Sequence, residues 1–344
     1  QSGTGGELKL YSFFFKRAAD GTKPDDAYSV KLSHNQALPL GFNLTANVDY
    51  QSSYDFLREF DNSFREASVS NRSSEVFLSR SWGQFNVSAR ASLFDTYFSE
   101  LNDGIRSVSL PLINFNMFKF KLFSPLYFSL NASFNSWQYG WRSEYRAGTE
   151  RKSTTLTVQP TLSLPFTSIP WLAANTSVSG NFSYYGQSYD PDTGGIVNDP
   201  LFTRNLAVNV QVTGPVFYRI FYGRTGEPRL KNVIEPYVNY TYESPISQAS
   251  RIVTSYGFFR FHQMGYGLTS RFLFRQSERP VEVASFSLGQ TYYFSPGDGP
   301  LSQYLVYGKP PRFSEATATL RLYPLANYSL DASVGYNPFY RNVA

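Results

Sequence analysis

Between Thr154 and Tyr184 the chain alternates apolar and small polar residues over two successive stretches, and this alternation restricts its fold more than any other feature. Leu156, Val158, Pro160, Leu162 and Leu164 interleave with Thr155, Thr157, Gln159, Thr161 and Ser163. After a link of Phe-Thr-Ser-Ile-Pro-Trp, Leu172, Ala174, Val178, Gly180, Phe182 and Tyr184 interleave with Asn175, Ser177, Ser179, Asn181 and Ser183. Side chains on a strand point to opposite faces in turn, so each stretch makes a strand with one apolar and one polar face. No helical face fits the pattern. The polar face is Thr, Ser, Asn and Gln, without the Lys and Glu expected where a soluble sandwich meets water. A wall between lipid and a wet lumen has this composition.

Bulk composition points the same way. Aromatic residues make up 18% of the chain, with 26 Tyr and 31 Phe, while charged residues are only 17%, below the roughly one quarter usual for soluble domains. Yet mean hydropathy is −0.32, and no apolar run approaches the roughly 20 residues of a membrane-spanning helix. Low charge, many aromatics and low hydropathy suit a transmembrane barrel, in which every second residue meets lipid. Cysteine is absent, which excludes a disulfide scaffold or a thiolate metal site in this stretch. The net charge of +5 is not gathered into a basic cluster with stacking aromatics, so nucleic acid is not an expected partner.

Strand-like segments fall near 7–15, 27–37, 42–51, 72–82, 85–95, 105–114, 126–137, 153–164, 172–185, 203–221, 229–243, 263–276, 281–294, 314–324 and 328–338. Each is near or above the roughly 9–11 residues a tilted strand needs to cross a bilayer. Short connections at 38–41, 83–84, 165–171, 222–228, 277–280 and 325–327 alternate with long polar ones at 16–26, 52–71, 96–104, 138–152, 186–202, 244–262 and 295–313. Such alternation predicts an all-β fold, an antiparallel up-and-down transmembrane barrel of the outer-membrane type. Residues 1–344 read as a single domain, about 15 strands of a larger barrel. Parity requires 203–221 to be one tall strand, with a bulge at Gly214-Pro215. The apolar link 115–125 has no assigned place. Gln1 begins without Met or a signal peptide, and the chain ends at Ala344 without a terminal aromatic. It reads as an internal fragment.

Trp82, Trp137, Trp141 and Trp171 lie at strand ends or just beyond, and Tyr50, Tyr184, Tyr185, Tyr292 and Tyr293 sit similarly, where amphipathic rings are most at home between lipid and water. They are expected to form aromatic girdles. No catalytic constellation or cofactor motif is legible, and no enzymatic activity is expected. His34 and His262 lack ligand spacing, so no metal site is expected. Asp190 to Gly195 could suggest a calcium loop, but it lacks the full ligand spacing and reads as an outer-loop turn. Asn-x-Ser/Thr sequences such as those at Asn43, Asn86, Asn131, Asn175, Asn181 and Asn239 follow from a lumen face built of Asn, Ser and Thr. Arg90, Arg271, Arg275 and Arg321 share that inferred inner face. They have two readings: an ordinary hydrated lumen with each Arg paired to a carboxylate, or a polar path for a phosphate-bearing amphiphile.

Four segments carry a family resemblance. They are Asn47-Val48-Asp49-Tyr50 with the aromatic and acidic residues up to Asp61, Ser109-Leu110-Pro111-Leu112-Ile113-Asn114-Phe115 with Ser124-Pro125-Leu126-Tyr127-Phe128, Leu156 to Phe166, and Arg229 to Tyr240. In this order and spacing over about residues 40–245 they resemble the barrel of the LptD family of lipopolysaccharide-assembly proteins, the organic solvent tolerance family. The strand carrying Val233, Ile234, Glu235 and Pro236 is similar to the family's "H-V-I-E-P" strand, with Asn232 where His is common. The resemblance implies insertion of lipopolysaccharide into the outer leaflet of a Gram-negative outer membrane, through a large barrel that releases lipid sideways between its first and last strands. It implies a plug lipoprotein, LptE, a periplasmic bridge protein, LptA, reached through an N-terminal β-jellyroll, and the outer-membrane lipid itself as partners. The jellyroll and the terminal strands are expected to lie outside this chain, and gate residues with them. A porin or plugged transporter for small solutes, and a soluble β-sheet adhesion domain, remain open as alternatives.

Overall fold

The computed structural model describes residues 4–13, 27–51, 70–98, 103–141, 151–253, 260–276, 279–325 and 328–343. Among them the strands are β1 (Gly5–Phe13), β2 (Ala27–Leu38), β3 (Phe42–Gln51), β4 (Asn71–Trp82), β5 (Phe85–Phe98), β6 (Asp103–Phe123), β7 (Leu126–Trp141), β8 (Arg151–Ile169), β9 (Leu172–Tyr185), β10 (Ser188–Tyr189), β11 (Ile196–Val197), β12 (Leu201–Thr213), β13 (Phe217–Tyr222), β14 (Pro228–Glu243), β15 (His262–Gln276), β16 (Arg279–Tyr293), β17 (Ala316–Leu325), β18 (Tyr328–Asn337) and β19 (Asn342–Val343). Each long strand pairs antiparallel with its sequence neighbour from β1 to β9. The ladder then continues from β9 to β12, from β12 and β13 to β14, and on through β15, β16, β17, β18 and β19. The result is an up-and-down meander whose two edges do not pair with each other among the described residues. β10 and β11 form a small separate hairpin inside the 186–202 connection.

Register confirms the two-faced strands. Phe128 faces Leu162 and Phe134 faces Leu156 across β7 and β8, and Val158 faces Phe182 across β8 and β9, so the apolar residues form one continuous side. That side is bare: Leu162 is 42% exposed, while Ser163 beside it is 5% exposed on the other face. This asymmetry is what curvature toward the small-polar side produces, because a concave face crowds its side chains. Small hydroxyl and amide groups also zip the concave face across strands. Thr161 and Ser179 hydroxyls lie 2.8 Å apart, Ser133 Oγ donates to Asn114 Oδ1 at 2.8 Å, and Ser109 Oγ donates to Asn135 Oδ1 at 2.8 Å. Such cross-strand pairs contribute about 0.2–1 kcal/mol each.

The link 115–125 is not a turn. Phe118, Phe120 and Leu122 alternate with Lys119 and Lys121 as the end of the 21-residue β6, and only Ser124 and Pro125 turn the chain. The 96–104 interval likewise shortens, since β5 runs to Phe98 and β6 starts at Asp103. The expected tall strand 203–221 is β12 and β13, interrupted at Gly214-Pro215, with both parts lying on β14. Gly214 has φ +117°, and a Cβ there would stand 2.4 Å from the Trp171 carbonyl oxygen, so only glycine fits. Residues 52–61 of the first family-like segment lie outside the described residues.

Candidate functional site

The small-polar face is the candidate site, and register decides which residues belong to it. Asn43, Asn131, Asn175, Asn181 and Asn239 all stand on it, opposite polar partners such as Ser79, Gln159, Gln211 and Asn205. Arg90 stands there too, its Nη1 3.8 Å from Glu75 Oε2. Arg271 Nη2 lies 3.1 Å from Glu235 Oε2, and Arg321 forms an ion pair with Asp331. Three of the four arginines therefore hold a carboxylate. Arg275 holds none among the described residues and lines a cleft at the short-turn end of β14 and β15.

The Val233–Pro236 segment divides by parity. Val233 faces Arg271 and Glu235 faces Thr269 on the polar side, while Ile234 and Pro236 stand on the apolar side. Asn232 also stands on the apolar side, where its Nδ2 donates to Ser270 Oγ at 2.8 Å and so spares a polar group from lipid. Next along the polar side, Tyr237 lies over Gly267 and Gly289 of the two following strands. A Cβ at Gly289 would meet its hydroxyl at 2.5 Å. The ring thus occupies space that only two glycines leave open.

On the apolar side, Trp82 stacks on Phe85 at 5.7 Å at the short-turn end, with the Arg80 guanidinium 5.2 Å from its ring. Tyr184 shares this side with Phe182 and Leu156. Trp171 is half-exposed in the turn between β8 and β9. Trp137 and Tyr185 depart from the girdle expectation. Trp137 faces Ser153 and Ser109, and Tyr185 faces Thr155, so both stand on the polar side. At the long-loop end the apolar side carries a further belt, of which the sequence marked Tyr292; Tyr293, expected beside it, faces Gln263 on the polar side. His262 stacks on Phe294 at 4.6 Å, Tyr242 and Tyr240 meet the His262 ring edge-on, and Tyr292 packs against Phe294 and Phe313. The spacing Tyr240-x-Tyr242 and Tyr292-x-Phe294 was its available signal.

Above that belt two long connections are stitched together. Arg251 Nη2 donates to Ser188 Oγ at 3.0 Å and to Asp199 Oδ2 at 2.5 Å, and its Nε donates to the Tyr189 carbonyl at 3.3 Å. The Asp190 carboxylate accepts from the backbone N–H of Asp192 and Thr193 at 2.8 and 3.1 Å. These bonds hold the Asp190 carboxyl below its ordinary value, the Thr193 bond contributing most. Asp190 is therefore a turn-forming residue, as its sequence context suggests.

An antiparallel meander that is bare and apolar on one side, small and polar on the other, and belted with aromatics is part of the wall of an outer-membrane β-barrel. The family profile described as LPS transport system D, LptD, matches residues 25–259, and the chain belongs to the LptD family. The LPS-assembly protein LptD of Actinobacillus pleuropneumoniae serotype 5b is 26% identical over 323 residues, covering 82% of this chain and 39% of that protein. The LPS-assembly protein LptD of Cupriavidus necator is 23% identical over 333 residues, covering 91% of this chain and 39% of that protein. The chain thus spans 39% of the length of these curated relatives. Among solved structures, the siderophore receptor PirA of Pseudomonas aeruginosa matches with a TM-score of 0.40 and 10% identity, covering 97% of this chain and 65% of that one. BamA of Haemophilus ducreyi matches with a TM-score of 0.32 and 9% identity, covering 96% and 66%.

Proposed function

We propose that this chain is barrel wall in a translocon that inserts lipopolysaccharide into the outer leaflet of the outer membrane. The observation that carries this reading is the family match over residues 25–259. The wall's chemistry agrees with it. Acyl chains stay on the lipid side and leave sideways through a seam, while the sugar crosses a lumen lined by Thr, Ser and Asn. The work is transport, with no bond made or broken. The plug lipoprotein LptE, the bridge protein LptA and the jellyroll that receives it belong to the same reading and lie beyond this chain. In the lumen, Arg90, Arg271 and Arg321 are each paired with a carboxylate, and Arg275, without one among the described residues, is the one of the four proposed to meet cargo.

Depletion of the full-length protein in cells tests this. Lipopolysaccharide reachable by an added antibody on intact cells falls, and lipopolysaccharide accumulates behind the outer membrane. Unchanged surface lipopolysaccharide with reduced uptake of small solutes would overturn the reading in favour of a porin.

A further inference from the structure

At the short-turn end of the polar face, β14 and β15 bring three cations together; Glu282 of β16 shares that face opposite Leu273, but it forms no ion pair with them among the described residues. Lys231 stands opposite Ile220 of β13 on one side and Leu273 of β15 on the other. One step nearer the rim, Leu230 faces Phe274, and the same register continued by one residue sets Arg229 against Arg275. All three cations line one cleft of about 200 Å³, with Ile220, Leu273, Pro228 and Pro280 as its apolar walls. Lys231 Nζ lies 4.7 Å from the centre of the Tyr218 ring. None of the three has a carboxylate partner among the described residues; the nearest paired cation on this face, Arg271, is taken by Glu235.

Like charges directly across a strand pair repel and cost stability. A lumen that neutralises Arg90, Arg271 and Arg321 one by one leaves these three converging, and apolar surface adjoins them. We propose that this cleft binds the phosphate-bearing head of an amphiphile, with Arg229 and Arg275 gripping the phosphate, Lys231 adding charge, and the Ile220–Leu273 wall receiving the adjoining apolar part. Guanidinium forks match phosphate oxygens two at a time, which an ammonium cannot do. The compactness of the cleft favours one multiply charged group over an acidic protein segment, whose carboxylates would be spread along a chain. This site deepens the transport reading and rests on its wet lumen.

The test is calorimetric titration of the purified full-length protein, in neutral detergent, with dihexanoyl phosphatidic acid below its micelle concentration. Parallel titrations use dihexanoyl phosphatidylcholine, inorganic phosphate and a hexaglutamate peptide. The phosphatidic acid binds, and Arg229→Gln with Arg275→Gln weakens it at least tenfold, while Arg229→Lys with Arg275→Lys weakens it less. The phosphatidylcholine and inorganic phosphate bind more weakly than the phosphatidic acid. Unchanged affinity in the Gln variant overturns the proposal. Equal binding of inorganic phosphate would make the site one for free anion, and preferential binding of hexaglutamate would make it a protein dock; either result overturns it. Binding to purified protein is read apart from delivery in cells. A cleft that fails to bind leaves the transport reading standing, and a failed depletion experiment leaves the binding result standing.

Discussion

Asp95 is fully buried and sits between two guanidiniums in one cross-strand row. Register places it opposite Arg72 of β4 and opposite Arg106 of β5's other neighbour, β6. Arg106 Nε and Nη2 donate to its two oxygens at 2.7 and 2.8 Å. Arg72 is 3% exposed and also donates to Asp49 at 2.7 Å. Among the described residues, two cations and two carboxylates meet there in a place with little water. Asp95→Asn keeps the shape and takes from Arg106 the carboxylate that accepts its two hydrogen bonds. Breaking a fully buried ion pair costs about 3–5 kcal/mol. Arg106 retains 31% exposure, so partial solvation lowers this to about 2–4 kcal/mol. Glu75→Gln provides the comparison, because Glu75 and Arg90 are each 44% exposed and 3.8 Å apart; exposed pairs contribute about 0–1 kcal/mol. The assay is urea unfolding of the full-length protein refolded into lipid vesicles, with free energy taken from midpoint and slope. The cycle with Arg106→Gln isolates the pair and returns a coupling of about 1.5–3 kcal/mol. Equal costs for Asp95→Asn and Glu75→Gln, or a coupling below about 0.5 kcal/mol, would refute the reasoning.

The two faces predict opposite tolerance at adjacent residues: Leu162→Arg, on the lipid side, destabilises by about 2–4 kcal/mol near mid-membrane, whereas Thr161→Arg loses a hydroxyl hydrogen bond of about 1 kcal/mol, both read by the same unfolding titration. Gly289→Ala destabilises the protein in the presence of the Tyr237 hydroxyl that its Cβ would meet at 2.5 Å, and Tyr237→Phe relieves most of that loss in the double variant. The Asp190 carboxyl has its pKa lowered by folding, so the turn's stabilisation is present above the ordinary value of 3.8 and is lost as pH falls through the lower folded value. A spin label at Thr193 loosens over that acid range, and Asp190→Asn abolishes the pH response.

The period-two pattern carried most of the wall, because strand faces depend only on residue parity. It was also sufficient at 115–125, where Phe118, Phe120 and Leu122 alternate with Lys119 and Lys121; the apolar content concealed a strand end followed by a two-residue turn. Trp137 and Tyr185 were read from their position along the strand, whereas parity sets them among Ser and Thr on the polar face. Clusters made by register were not legible at all. Arg72, Asp95 and Arg106 become one row only when β4, β5 and β6 are aligned. Arg229, Lys231 and Arg275 likewise converge only through the pairing of β14 with β15 and β13. Sequence separation hides such contacts, and a shift of one residue would send every side chain to the other face.

The account turns on the claim that one side of this sheet faces lipid and the other a wet lumen. The chain contains no cysteine, so single cysteines placed along β8 in an otherwise thiol-free full-length protein report each face separately. In lipid vesicles, Thr155→Cys, Thr157→Cys and Thr161→Cys react with a charged, water-soluble maleimide. Leu156→Cys, Val158→Cys and Leu162→Cys react instead with a maleimide dissolved in the bilayer. Equal reaction of both sets with the water-soluble reagent would contradict the account and leave a sheet with water on both sides.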